Sequence, residues 1–418
     1  MERSYFGTDG VRGIVGDTLT VELVERLGKA ATLWVDGGRI FIGRDTRVTG
    51  PELEQAFARG VVAAGGHALL AGVLPTPAVA LLALDLGVVV SASHNPPEYN
   101  GVKFFDRGGQ KLTDVAELEI EALLDAEPEV APGSTDRIRV ASYSYVEHIL
   151  ERFGSDLSGL RIGVDCAHGA YSGIAPAAVR KLGADVVAIA NDGDGAQINV
   201  GVGATDLRAL SATVVDHGLD LGVAFDGDGD RMLAVDEQGQ HVDGDQILGV
   251  LALHLGVDLV AVTVMANLGL HKLMEEHGIR VVTTDVGDRY VLEALRREGG
   301  ILGGEESGHL ICLDGHVTGD GLVAALLLCR ALEGRPLSKA AAALRKYPQA
   351  RVNVPVSEKH IPADLRERID AFAGDGRRVL VRPSGTEPVV RVLAEAETQA
   401  EADRLSGSIA ALVQRELG

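Results

Sequence analysis

Aromatic residues are scarce: one Trp, seven Tyr and eight Phe are 4 % of a 418-residue chain. Any core must then be built mainly from Ala, Val and Leu. Basic residues are outnumbered, 39 Lys and Arg against 60 Asp and Glu, for a net charge of −21. That balance argues against a nucleic-acid or anionic-membrane binder, which needs a basic face. An anionic small-molecule substrate would need local clusters of Arg and Lys. The three cysteines, Cys166, Cys312 and Cys329, are odd in number, far apart and set among apolar neighbours. They offer neither a disulfide frame nor zinc-ligand spacing, and the expectation is reduced core thiols in a cytoplasmic protein. No apolar run reaches about 18 residues, so no membrane span is expected. The first residues lack the charged-then-apolar pattern of a signal peptide.

What is present is 46 % apolar residue in a length that suggests three or four domains. Helix and strand patterns alternate three times, over 1–153, 154–245 and 246–347. Each set predicts an α/β domain with a mostly parallel sheet. The segment 348–418 changes style, with alternating strands around helices, and reads as a smaller α+β domain. In detail, an amphipathic helix is expected over 20–35 and a surface loop over 127–136. A helix over 205–215 would be N-capped by Thr205, and Thr398 with Glu401 three residues later reads as a capping box.

Four stretches carry chemistry. Val88 to Val90 ends in Ser91-Ala-Ser-His-Asn-Pro-Pro97, where two prolines stop helix and ladder alike. Ser93 is thus left on a tight bend beyond a buried strand, where open α/β sheets bind ligands. Asp226-Gly-Asp-Gly-Asp230 follows another apolar strand. Alternation and two glycines would bring Asp226, Asp228 and Asp230 together, a set that needs a divalent cation and suits Mg²⁺. A calcium loop of the EF-hand type competes, with Glu237 in twelfth place, but Arg231 stands where that loop needs Gly. Arg382-Pro-Ser-Gly-Thr-Glu-Pro-Val-Val-Arg391 gathers two guanidiniums, two hydroxyls and a flexible backbone fit for a phosphate. Gly304-Glu-Glu-Ser-Gly-His309 offers acceptors for sugar hydroxyls.

These motifs, in this order, resemble the α-D-phosphohexomutase family over essentially the whole chain. Phe6-Gly-Thr-Asp-Gly-Val-Arg-Gly13, Gly43-Arg-Asp-Thr-Arg47, Val286-Gly-Asp-Arg-Tyr290 and Thr318-Gly-Asp-Gly321 add to the resemblance. Gly203-Ala-Thr-Asp-Leu-Arg208 and Met265-Ala-Asn-Leu-Gly269 are most similar to the glucosamine-phosphate members. Asn95-Pro-Pro-Glu-Tyr-Asn-Gly101 reads more like the glucose and mannose members, and Glu306 stands where the glucosamine-phosphate members often carry Gln or Asn. The resemblance implies four domains around a central cleft and a phosphorylated Ser93 bridging to Mg²⁺ on Asp226, Asp228 and Asp230. It implies a sugar-phosphate phosphate on Arg382, Ser384, Gly385, Thr386 and Arg391, and ring hydroxyls on Glu305 and Ser307. Arg12, Lys103, His309 and Arg231 would serve the reacting oxygens, Arg231 by withdrawing charge and the others by acid–base help. The implied reaction converts glucosamine 6-phosphate to glucosamine 1-phosphate through a 1,6-bisphosphate that also acts as primer. It would feed UDP-N-acetylglucosamine and cell-wall precursor synthesis, from a possible homodimer. Sibling specificities, and a non-catalytic sugar-phosphate or Mg²⁺ sensor, remain alternatives.

Overall fold

The structure is a computed structural model and describes residues 4–7, 9–374, 376–384 and 387–418. Among them are four sheets. The first runs, edge to edge, Val11–Ile14, Tyr99–Phe105, Leu86–Val90, Arg39–Arg44, His67–Val73 and Ser134–Arg137. The last four strands are parallel; Tyr99–Phe105 is antiparallel to both its neighbours. The second sheet orders His241–Val242, Met232–Asp236, Leu221–Phe225, Arg161–Asp165 and Asp185–Ile189, and the third Arg280–Thr284, Leu259–Thr263, Leu302–Gly304 and Leu310–Cys312. Both are mixed, with three parallel strands followed by an antiparallel strand at Met232–Asp236 and Leu310–Cys312 respectively. The fourth, Gln349–Pro355, Val389–Glu395 and Arg378–Pro383, is wholly antiparallel.

Side-chain spacing shows why the first three units hold together. The helix Ala141–Phe153 buries Ala141, Tyr145, Ile149 and Phe153, one residue every four, as a single stripe. That stripe joins a continuous apolar cluster running from Phe41 and Phe105 through Ile162 and Phe225 to Val260 and Leu326. The fourth sheet packs its own core, Val354, Val381, Val392, Ile409 and Val413 among others, under the helix Gln399–Leu417. Its junction to the third unit is polar. Glu395, fully buried, accepts from Asn267 Nδ2 at 3.1 Å, from Leu268 N at 3.1 Å and from Arg378 at 2.8 Å.

Several local expectations change. Ser134–Arg137, expected as loop, is an edge strand paired to His67–Leu70; its four side chains are exposed, so no apolar alternation marks it. Thr205 does not cap a helix. Asp165 accepts from Gly203 N at 2.7 Å and ties Gly203–Thr205 into a short 3₁₀ turn, so the helix starts at Arg208. Thr398 does cap its helix by accepting from Glu401 N, but Glu401's carboxylate turns to Arg377 at 2.6 Å, so the box is half made. The three cysteines are free and buried. No helix among the described residues is long and apolar enough to cross a membrane.

Candidate active site

The strand Leu86–Val90, buried throughout, delivers the chain to Ser93, whose φ is +51°. A non-glycine residue pays for that left-handed backbone and keeps it only when neighbours enforce it. Here they do. Ser93 N donates to Ser91 Oγ at 2.9 Å, and Ser91 Oγ donates to Asp45 at 2.6 Å. Arg47, with no exposed surface, pairs with Asp45 at 2.9 Å. Its guanidinium donates to the carbonyls of Ser93 at 2.9 Å, Asn95 at 2.7 Å and Tyr99 at 2.9 Å, and also to that of Pro96. Asn199 Nδ2 donates to Ser93 O from the second domain at 2.9 Å. The Ser93 hydroxyl is thereby aimed at Asp226 Oδ2, to which it donates at 2.6 Å.

Asp226, Asp228 and Asp230 lie on the turn between Leu221–Phe225 and Met232–Asp236. Each offers a carboxylate oxygen within 4.8 Å of the others. They converge through a turn, where the sequence pattern had suggested extended alternation. Gly229 has φ +79°, and a Cβ there would lie 2.4 Å from the Tyr171 ring; a Cβ on Gly227 would lie 2.7 Å from Ser93 O. The loop's backbone is held from three sides: Thr76 N donates to Asp228 O, Ala170 N to Gly227 O and Gly321 N to Gly229 O. Beneath Gly229, the Tyr145 and Tyr171 hydroxyls each donate to Asp320 at 2.7 Å.

Burial, followed by the charges of Asp230 and Asp228, pushes the Asp226 carboxyl well up. Asp228 and Asp230 are buried too, but Lys103 overcomes that cost and holds both below the usual carboxylate range. Lys103 Nζ donates to Asp228 at 2.7 Å and stands 3.3 Å from Asp230. The Oδ1 atoms of Asp228 and Asp230 are buried without a hydrogen-bond partner. Unpaired carboxylate oxygens in such a set fit a hard divalent cation. An EF-hand does not fit: strands flank the loop, and Glu237 turns away to Ser338 N at 3.1 Å.

Two acids join the remaining cations to this centre. Asp9 pairs with Arg12, with Lys103 at 3.2 Å and with Lys111 at 2.7 Å. Asp288 pairs with Lys111 at 2.8 Å and with His309 Nε2 at 3.2 Å; burial raises its carboxyl, but His309 and Lys111 bring it down to about 2. Arg231 sits over the loop with its backbone N donating to Asp226 Oδ1 at 3.1 Å. It stays charged despite burial because Asp226 and Asp230 face it. Ser93, the three aspartates, Lys103, Arg12, Arg231 and His309 thus form one cluster. Asp9, Asp45, Arg47, Lys111, Asn199 and Asp288 complete it. Of these, Asp9, Asp45, Arg47 and Asp288 lie in family motifs, but nothing local shows that they bridge; only the tertiary fold does.

Glu305 accepts from Gly287 N at 3.1 Å, and Ser307 is exposed at the tip of the turn. Glu306 meets Arg351 of the fourth sheet at 3.2 Å. There Arg382 and Arg391 stand opposite each other across antiparallel strands and line a cavity of about 440 Å³ with Met265, Arg351 and Asn353. Burial and then the Arg391 charge lower Arg382's proton affinity. Arg391 Nε is buried and unpartnered. Ser384 is buried and its hydroxyl accepts from Glu387 N at 3.3 Å. Gly385 and Thr386 lie outside the described residues. Among the described residues, no hydrogen bond or ion pair links this clamp to Ser93 or the aspartates.

Models of all four phosphoglucomutase/phosphomannomutase domains match the chain. The three α/β/α domains fall at residues 3–131, 143–239 and 243–347, and the C-terminal domain at 352–412. The chain belongs to this α-D-phosphohexomutase family, and it is an enzyme, a mutase of the isomerase class. Its curated relatives include phosphoglucosamine mutases; that of Saccharopolyspora erythraea is 47 % identical with 98 % of each chain covered. A phosphoglucomutase/phosphomannomutase family protein from Burkholderia thailandensis superposes with a TM-score of 0.86 at 26 % identity, covering 99 % of this chain and 98 % of that one. The fold also matches that of Aspergillus fumigatus N-acetylphosphoglucosamine mutase in complex with GlcNAc-6P and magnesium. That match has a TM-score of 0.71 at 21 % identity and covers 99 % and 96 % of the two chains.

Proposed function

We propose that this chain is a phosphoglucosamine mutase, interconverting glucosamine 6-phosphate and glucosamine 1-phosphate through phosphorylated Ser93 and a glucosamine 1,6-bisphosphate. The observation that carries the reading is the Ser93 hydroxyl on Asp226 at 2.6 Å, inside a cage of three buried carboxylates. The curated relatives' names support the amino sugar.

Asp226, Asp228, Asp230 and the Ser93 phosphate would hold Mg²⁺, which when bound withdraws charge from the phosphoryl group. The chain's own residues do the rest. Arg382, Ser384 and Arg391, with Gly385 and Thr386, grip the phosphate that does not react, and Glu305 and Ser307 take ring hydroxyls. In the first half the P–Oγ bond of Ser93 breaks, a bond from phosphorus to the anomeric oxygen forms, and the anomeric proton passes by way of His309 to the departing Ser93 Oγ. Asp288 orients that imidazole. The bisphosphate then turns end for end. In the second half the P–O6 bond breaks, P–Oγ forms again, and the Ser93 hydroxyl proton passes by way of His309 to O6. Lys103 is held so firmly charged by Asp228, Asp9 and Asp230, against its burial, that its role is electrostatic. Arg12 and Arg231 add to the same field. One clamp serves both orientations because both ends of the intermediate are phosphates. The product would feed cytoplasmic synthesis of UDP-N-acetylglucosamine and cell-wall precursors.

Turnover of glucosamine, glucose and mannose 6-phosphates, primed with the matching bisphosphate, tests the reading. Glucosamine 6-phosphate is expected to have the highest kcat/KM, and Ser93→Ala to lose turnover on all three. A preference for glucose or mannose would move the chain to a sibling specificity. Full activity in Ser93→Ala would remove the mechanism.

A further inference from the structure

A second polar cavity lies in the first domain, at the carboxyl ends of the strands Arg39–Arg44, His67–Val73 and Ser134–Arg137. It measures about 320 Å³, and its polar walls are Arg44, Glu54, Arg137, Arg139 and Ser142. Three arginines converge there in a chain of net charge −21. Among the described residues, the guanidiniums of Arg137 and Arg139 make no ion pair. Glu54 is 6 % exposed; its Oε2 ion-pairs with Arg44 Nε at 3.6 Å, while its Oε1 is buried without a hydrogen-bond partner. Buried polar atoms left without a hydrogen bond are costly, so a native fold seldom keeps them without a use. Here the free Glu54 Oε1 wants a donor on a wall that the arginines make positive. The helix Ala141–Phe153 begins at the rim with no side-chain cap, so its first N–H groups add to the positive end.

We propose that this cavity binds a small phosphate-bearing molecule with a free hydroxyl, its phosphate on Arg44, Arg137 and Arg139 and its hydroxyl donating to Glu54. Guanidinium forks suit phosphate oxygens, and a buried carboxylate suits a sugar hydroxyl. The site is distinct from the Arg382–Arg391 clamp and does not depend on the mutase reading.

The test is calorimetric titration of the full chain with two probes, inorganic phosphate and ribose 5-phosphate, with divalent cations chelated. An Arg382→Ala/Arg391→Ala background silences the clamp. One saturable event is expected to persist in that background, with ribose 5-phosphate binding more tightly than phosphate. Adding Arg137→Ala/Arg139→Ala weakens both probes at least about tenfold, and Glu54→Gln removes the preference for the sugar phosphate. In the otherwise native chain, Arg137→Ala/Arg139→Ala leaves mutase turnover unchanged, which shows that the exposed pair can be removed without unfolding. Loss of all binding in the clamp background, or binding indifferent to the arginine pair, overturns the site. Equal affinity for the two probes overturns the hydroxyl assignment and leaves inorganic phosphate as the source.

Discussion

Ser93 and the aspartates it faces are each at most 3 % exposed, on loops pinned by Arg47, Thr76, Ala170, Asn199 and Gly321. Arg382 and Arg391 are half-buried on a sheet with its own core, facing each other as like charges. The first three units share an apolar cluster; the fourth meets the third through the Glu395, Asn267 and Arg378 node. Phosphoryl transfer asks for charges preset to well under an ångström, since reorganising them costs rate. Gripping a phosphate that must leave and return asks for the opposite. On the proposed mechanism, the chemical end is carried by a shared apolar core and the holding end is hung on a polar seam, which is where a hinge would cost least.

The comparison can be broken most severely at its rigid end. Asp228→Asn removes a charge from the cage and is expected to cut kcat about a thousandfold with KM nearly unchanged; chelation of divalent cations should mimic it in the native enzyme. Steady-state kinetics with and without added Mg²⁺ decide this. Arg47→Ala leaves the Asp45 charge buried without its counter-ion and takes a donor from four carbonyls, of which those of Ser93 and Asn95 keep Asn199 Nδ2. A stability loss of about 3–5 kcal/mol is expected from denaturant unfolding.

At the looser end, Arg391→Ala should raise KM about 10–100-fold while the melting temperature holds, because the side chain supports a ligand and not the core. The seam is probed through pH. Asp245 accepts from Asn267 N at 2.7 Å, and burial pushes its carboxyl up to about 7. The folded chain therefore keeps a proton that the unfolded chain releases near pH 4, so stability falls as pH rises from about 4 to 7, by at most about 1.4 kcal/mol per unit. Asp245→Asn should flatten that slope in unfolding midpoints taken at several pH values.

Much of this was legible in the residues. The proline-stopped bend at Ser93 and the glycine-spaced aspartates are local signals, because turn chemistry and charge crowding act over a few residues. Arg382 and Arg391 are legible too, and so is the layered α/β order. What could not be read is what long-range convergence decides. Tyr145, Tyr171 and Asp320 come from helices and loops 26 to 175 residues apart and meet only under Gly229. Asp9 and Asp288 look like ordinary motif acids until Lys111 joins them. The Ser134–Arg137 strand is invisible because its four side chains are exposed and polar, with no apolar alternation to mark it.

The central claim is that Ser93 carries the phosphoryl group between the two ends of the sugar. Intact-protein mass measurement with peptide mapping tests it most directly. After exposure to glucosamine 1,6-bisphosphate and Mg²⁺, one phosphate should reside on the peptide containing Ser93 and disappear when excess glucosamine 6-phosphate is added. An unmodified Ser93 peptide throughout, in protein that still turns over, would contradict it.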